Sequence, residues 1–226
     1  MRFRGTPLAR AGQRVVLAVS GFAADRGWSL AAYNPALFAF YHLIARDNAP
    51  GVVGAVTETF PDARTYLDVG AGSGAFSAEA RRRGKYVVAC EHSPFGRMIA
   101  RAQQVDARPF DLERDPPARA AAADLALCLE VAEHLPPQMG DGLVEFLTDH
   151  APTIVFSAAH PGQGGTGHVN EQPKSYWIER FQRAGAAQDE AASRRLLAAM
   201  DRQELTRPWY RENAMVFRAQ PAAVPA

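Results

Sequence analysis

Two stretches of this chain hold residues whose types and spacing can do chemistry. The first is Glu130-Val-Ala-Glu133-His134, at the end of an apolar run that starts near Asp124. If these residues form a helical turn, Glu130 shares a side with the residues three and four positions on. Two carboxylates and an imidazole placed together, with one distant ligand added, can hold a divalent cation. An imidazole can also take a proton near neutral pH. The second stretch is Thr65-Tyr-Leu-Asp68-Val-Gly70-Ala-Gly72-Ser-Gly74-Ala75. Here a short run of β-type residues breaks into glycines. Ala75 to Arg83 then reads as a helix. Glycines let a backbone turn sharply and approach a ligand where a Cβ would clash. The helix N-terminus behind them offers N–H groups and the positive end of a dipole.

Strand, glycine turn and helix form the first unit of a Rossmann-like sheet. Lys85 to Glu91 is an almost continuous apolar run, fit for a parallel strand buried on both faces, and it ends in Glu91. An acidic residue at that point hydrogen-bonds ribose hydroxyls in nucleotide-binding α/β folds. Ala107 to Asp111, Asp124 to Glu130 and Thr153 to Ser157 read as the third, fourth and fifth strands. Ala186 to Ala191 and Asn213 to Arg218 read as the last two. Helices are expected from Ser93-Pro94 to about Gln104, Met139 to His150, Pro173 to Ala184 and Ser193 to Glu204. Ala158 to Gln172 holds four glycines, His160 and His168, with no apolar period, and reads as a loop at the carboxyl edge of the sheet. His134, His160 and His168 all fall in segments expected at that edge, where open α/β sheets bind ligands.

The glycine turn fits two cofactor classes. Gly70-x-Gly72-x-x-Ala75 matches the dinucleotide pattern. Asp68 lies inside the first strand, two residues before the turn, and suits a ligand with an ammonium group better than a pyrophosphate. Leu-Asp-Val-Gly-Ala-Gly-Ser-Gly resembles the first motif of class I S-adenosylmethionine (SAM)-dependent methyltransferases, and Glu-Val-x-Glu-His-Leu resembles the end of their fourth strand. The resemblance covers roughly residues 65 to 184.

That resemblance implies an α/β fold: a mostly parallel seven-stranded sheet with helices on both faces. It implies SAM contacts at Asp68, Gly70, Gly72, Gly74, Glu91 and Glu130, with Asp111 and Leu112 near the adenine. Asp111 serves equally well as the N-cap of a turn. Methyl transfer from a sulfonium needs mainly alignment of donor and acceptor, and a hydroxyl acceptor gains from a nearby base. Glu133, His134 and His168 are the candidates for the acceptor side. Small-RNA and quinone-pathway O-methyltransferases use Glu-x-x-Glu-His to hold a divalent metal. By that likeness Glu130, Glu133, His134 and His168 are candidate ligands for Mg²⁺. Other methyltransferases share the segment without a metal. The expected acceptor is a small-molecule hydroxyl, such as that of a sugar or natural product. N-methylation, RNA 2′-O-methylation, a non-catalytic SAM-binding role and an NAD-dependent oxidoreductase are the rival readings.

The chain of 226 residues is long enough for one domain with a buried core. The expected division is a basic arm and helical, lid-like appendage over 1–60, the SAM-binding domain over 61–219, and a tail over 220–226. Within the appendage, Ala36 to Ala45 and Gly51 to Phe60 read as two helices. A net charge of +1 makes no electrostatic case for a nucleic-acid or membrane partner. Cys90 and Cys128 both fall in expected strands and read as small core hydrophobes, which fits a reducing, cytoplasmic setting. Tyr176, Trp177, Trp209 and Tyr210 are expected to pack rather than to touch substrate.

Overall fold

The computed structural model describes residues 35–112 and 122–219. The basic arm and the expected C-terminal tail lie outside them. The elements are α1 (Pro35–Thr59), β1 (Thr65–Val69), α2 (Ala75–Arg82), β2 (Tyr86–Glu91), α3 (Pro94–Ala102), β3 (Arg108–Pro109), β4 (Leu125–Leu129), α4 (Gly140–His150), β5 (Thr153–Ser157), α5 (Lys174–Arg183), β6 (Ala186–Gln188), α6 (Glu190–Asp201), α7 (Trp209–Glu212) and β7 (Met215–Ala219). The strands form one seven-stranded sheet in the order β3-β2-β1-β4-β5-β7-β6. Only β7 runs against its neighbours.

Successive strand residues point to opposite faces, and the sequence loads both with apolar side chains. Leu67, Val69, Ala126, Cys128, Ile154 and Phe156 meet α4 and α5 on one face. Tyr66, Leu125, Leu127, Val155 and Val216 meet α1, α2 and α6 on the other. Both cysteines are buried and free. No helix among the described residues is long and apolar enough to cross a membrane.

The first departure from expectation is α1. Two helices were expected; one helix of 25 residues runs through Pro50. Proline costs the ladder one N–H, and local contacts hold the join. Asn48, fully buried, donates from Nδ2 to Ile44 O and to Thr206 Oγ1, both at 2.8 Å. Its Oδ1 accepts from Thr206 N at 2.8 Å and Arg207 N at 3.2 Å. The Arg83 guanidinium donates to Pro50 O at 3.0 Å. Nor does packing break at residue 60. Ala49, Val52, Val53, Val56 and Phe60 belong to the same buried cluster as the strand residues. The lower half of α1 is part of the core. Its upper half, with Phe38, Phe40, Tyr41, Ile44 and Ala45, borders the ligand cleft.

Candidate active site

A cleft of about 1020 Å³ opens at the carboxyl ends of the parallel strands. Of the expected site residues, Asp68, Gly70, Gly72, Glu91, Asp111, Leu112, Glu130, Glu133, His134 and His168 line it. Gly74 does not. An ideal Cβ there would fall 2.9 Å from Ala100 Cβ, so its bareness lets α2 pack on α3. His160 is exposed, with Nδ1 3.0 Å from Pro161 O, and stands outside the cleft.

One half of the cleft is built on β1 and β2. Asp68 is 4% exposed and accepts a 2.5 Å hydrogen bond from Ser77 Oγ on α2. Burial lifts its pKa to about 6 despite that bond. Gly70 has φ 73°, and a Cβ there would strike Val131 at 2.5 Å. Gly72, at φ 54°, has only Gly70 O, at 4.0 Å, near the place of its Cβ among the described residues, which leaves room for a ligand to reach the backbone. Its N–H donates to Glu91 Oε2 at 2.6 Å, and Ser93 N–H donates to Glu91 Oε1 at 2.7 Å. Burial raises the Glu91 pKa, and the two N–H bonds pull the other way.

The other half is built on the turn after β4 and the loop after β5. Glu130 has φ 54°, a conformation that costs a non-glycine residue energy. This twist overturns the expected helical turn: of residues 130–134, Ala132–His134 alone is helical, as a 3₁₀ turn, and Glu130 lies before it. Its carboxylate accepts from Gln163 Nε2 at 3.0 Å and from Asn213 Nδ2 at 3.1 Å. Glu130 lines the same cleft but is not in the close ligand group in which it was expected. The remaining three, Glu133, His134 and His168, bring one ligand atom each to within 4.8 Å of one another.

Glu133 is fully buried, and neither carboxyl oxygen has a hydrogen-bond partner. Burial, and then the charge of Glu130, push its pKa well above the usual carboxyl range. Burial takes His134 down to about 4, with His168 adding to the effect. Its Nδ1 lies 3.2 Å from Gly167 O, so Nδ1 carries the hydrogen and Nε2 the lone pair. The rings of His134 and His168 meet edge to face at 4.9 Å. His168 Nδ1 lies 2.8 Å from Glu171 Oε1. Gly165 packs on the same ring: an ideal Cβ would fall 2.2 Å from His168 Nε2.

Several cleft residues carry no mark in the sequence. Tyr41 of α1 and Thr166 of the loop both line the cleft, and burial raises the Tyr41 pKa. Gln163 lines the cleft and, with Asn213 behind it, grips Glu130. Glu171 had a readable signal in the spacing His168-x-x-Glu171, which brings two side chains together in a tight turn. Among the four aromatic residues expected to pack, Trp177 and Tyr176 join the core cluster under the sheet, whereas Trp209 and Tyr210 also line the cleft.

The sheet order and this cleft define the class I SAM-dependent methyltransferase fold. Residues 42–191 match the family model described as "Methyltransferase domain", more than half of the chain, and the protein belongs to that family. The family membership decides between the two cofactor classes that the glycine turn left open. An uncharacterized methyltransferase from Mycobacterium sp. (strain KMS) is 39% identical over 101 residues, 43% of this chain and 40% of the relative. The match thus spans less than half of that curated relative. Two solved structures share the fold at a TM-score of 0.58 and 16% identity. An O-methyltransferase family protein from Burkholderia thailandensis covers 82% of this chain, with 60% of its own length matched. A SAM-bound amino pentose methyltransferase from Micromonospora echinaspora covers 78%, with 92% of its own length matched.

Proposed function

We propose that this protein transfers the methyl group of SAM to a hydroxyl oxygen of a small molecule. The observation that carries the reading is the state of the cleft's carboxyl groups. Asp68, Glu91, Glu130 and Glu133 all line one cleft, and burial raises the pKa of each. Among the described residues, Arg207 is the one lysine or arginine that lines the cleft. Desolvated carboxyls without matching cations favour a cationic ligand, and SAM brings a sulfonium and an ammonium. Asp68 and Glu130 then serve the amino-acid end of the cofactor, Glu91 its ribose, and Asp111 and Leu112 its adenine. SAM supplies the activated methyl group when bound. The chain's task is to seat the acceptor in line with it and to receive the acceptor's proton. His134, held neutral, and Glu133 shape the acceptor pocket. His168 takes the proton.

The test is calorimetric titration with SAM near pH 6 in two buffers of different ionisation enthalpy. SAM binding with proton release to the buffer is expected, because a cation beside Asp68 restores its ionised form. Asp68→Asn abolishes both the binding and the proton release. Binding of NAD in place of SAM would overturn the assignment. Incubation with SAM and a panel of sugars, phenols and amines, read by mass spectrometry, separates oxygen from nitrogen acceptors.

A second reading adds a divalent metal, and one observation favours it: a buried, unpartnered Glu133 beside two imidazoles. Glu133, His134 and His168 would hold the ion, which would lower the pKa of the acceptor hydroxyl. Two imidazoles and one carboxylate suit Mn²⁺, Fe²⁺ or Zn²⁺ better than the Mg²⁺ first expected. Glu133 must lose its proton to bind, so metal affinity rises with pH. Tryptophan fluorescence titration with Mn²⁺ at two pH values checks this, and no Mn²⁺ binding at either would remove the metal.

A further inference from the structure

We propose that the acceptor is a hydroxy acid: the Arg207 guanidinium binds its carboxylate, and its flat apolar body lies between α1 and Trp209. The proposal rests on the reading of this cleft as a site of methyl transfer from SAM to a small-molecule hydroxyl.

Arg207 is a cation held in place without an anion. Arg180, Arg183 and Arg218 each pair with an aspartate. Arg207 has no carboxylate partner among the described residues, although it shares the cleft with Asp68, Glu91, Asp111, Glu130 and Glu133. Its Cζ lies 5.2 Å from the centroid of the Trp209 ring, which also lines the cleft. Its backbone is anchored on both sides. The Arg207 N–H donates to the buried Asn48 Oδ1 at 3.2 Å, beside the Thr206 N–H at 2.8 Å. Pro208 follows, at φ −68°, and α7 begins at Trp209. A charge on an anchored stem loses little freedom when it takes a ligand. Phe40, Tyr41 and Ile44 line the cleft from α1, the helix that Asn48 ties to this segment. Aromatic and branched side chains there suit a flat apolar body.

The chemistry of the anion follows from the charges. Two parallel N–H groups of a guanidinium match the two oxygens of a carboxylate. One arginine balances one such group. A phosphate dianion would bring a second negative charge into a cleft lined by five acids. SAM has a carboxylate of its own, and the N–H groups in the first turn of α2, directly behind the glycine turn, face that end of the cofactor. Arg207 stands toward the acceptor side. Burial, then the charges of Glu130 and Glu133, raise the Tyr210 pKa, and Arg207 lowers it, so Arg207 and Glu133 act on the same hydroxyl. In the transfer the hydroxyl oxygen bonds the methyl carbon and the carbon–sulfur electrons stay on sulfur. The hydroxyl proton goes to a base of the cleft and then to water. The carboxylate only anchors.

Matched probes test this on the full chain saturated with S-adenosylhomocysteine. Saturation-transfer NMR compares 4-hydroxyphenylacetate with 4-hydroxyphenylacetamide, and 6-hydroxy-2-naphthoate with its amide. The acid of at least one pair should bind about tenfold or more tighter than its amide, the worth of a hydrogen-bonded charge. Arg207→Gln should erase that preference, and Arg207→Lys, which keeps the charge but not the fork, should retain part of it. SAM affinity, read by calorimetry, should stay within about twofold of wild type in Arg207→Gln, since the cofactor does not use this side chain. Acids that bind no better than their amides, or a preference that survives in Arg207→Gln, would overturn the proposal. So would a tenfold loss of SAM affinity in that variant, which would give Arg207 to the cofactor's own carboxylate. Failure of the methyl-transfer reading shows separately, as absent SAM binding in wild type, and the acid and amide comparison on the cofactor-free chain still decides what Arg207 binds.

Discussion

Asp68 sets folding against binding within one side chain. Its pKa rises from 3.8 to about 6 because the carboxyl is buried on β1 under the glycine turn. Between those values the folded chain holds a proton that the unfolded chain has released. Stability therefore falls as pH rises through this window, and the loss is complete above about 6. A shift of this size corresponds to a cost on the order of 3 kcal/mol. Asn mimics the protonated acid, so Asp68→Asn should melt several degrees higher than wild type at neutral pH and alike near pH 3.5. It should also lose SAM. Scanning calorimetry at the two pH values checks the first part, and a variant that melts lower at neutral pH would refute it. At this scale the sequence was most readable where a residue's role is its chemical type. Asp68, Glu91 and Gly72 stand at the cleft because strand ends and glycine turns can be placed from local pattern. Glu130 was expected at the cleft and lines it, but its place in a helical turn with Glu133 and His134 was misread, because its backbone is left-handed and its carboxylate is held by Asn213, more than eighty residues away in sequence.

At the scale of elements, the least readable one was α1. Proline and the glycine after it argue for a break at residues 50 and 51, and local rules hold no hint that Asn48 is answered by Thr206 and Arg207. Tertiary contacts outweighed local preference here. That pairing has a consequence for the site, since Arg207, Trp209 and Tyr210 line the cleft directly after it. Asn48→Ala should cost about 1–3 kcal/mol, the usual toll of leaving buried polar groups unpaired. It should also speed hydrogen exchange at the Thr206 and Arg207 amides. Denaturant midpoints and exchange mass spectrometry measure the two effects, and unchanged exchange at both amides would mean that α1 does not hold this wall. Strand ends elsewhere moved by one to three residues, as β3 did in shrinking to Arg108–Pro109. The order of elements after α1 followed the sequence because long apolar runs and turn residues are local signals.

For the whole molecule, net charge and site charge tell different stories. The chain is almost neutral at +1, whereas the cleft wall carries Asp68, Glu91, Asp111, Glu130 and Glu133 against Arg207. A polyanion entering this cleft would meet these acidic groups among the described residues, so RNA is expected to be a poor acceptor, on grounds that the net charge could not supply. Filter binding to a short single-stranded RNA at about 50 mM salt should show no saturable binding. Tight, salt-sensitive binding would reopen the nucleic-acid reading.

The left-handed backbone at Glu130 carries one more consequence. A residue with a side chain is strained there by about 1 kcal/mol, and glycine would not be. Glu130→Gly therefore removes strain from the turn after β4 in the same stroke that removes the anchor of Gln163 and Asn213. The two effects fall on different parts of the molecule. Global melting should hold steady or rise, while the loop that carries His168 exchanges its amides faster. That outcome would make the rigidity of the frame and the order of the loop separately adjustable, with residue 130 the point at which they come apart.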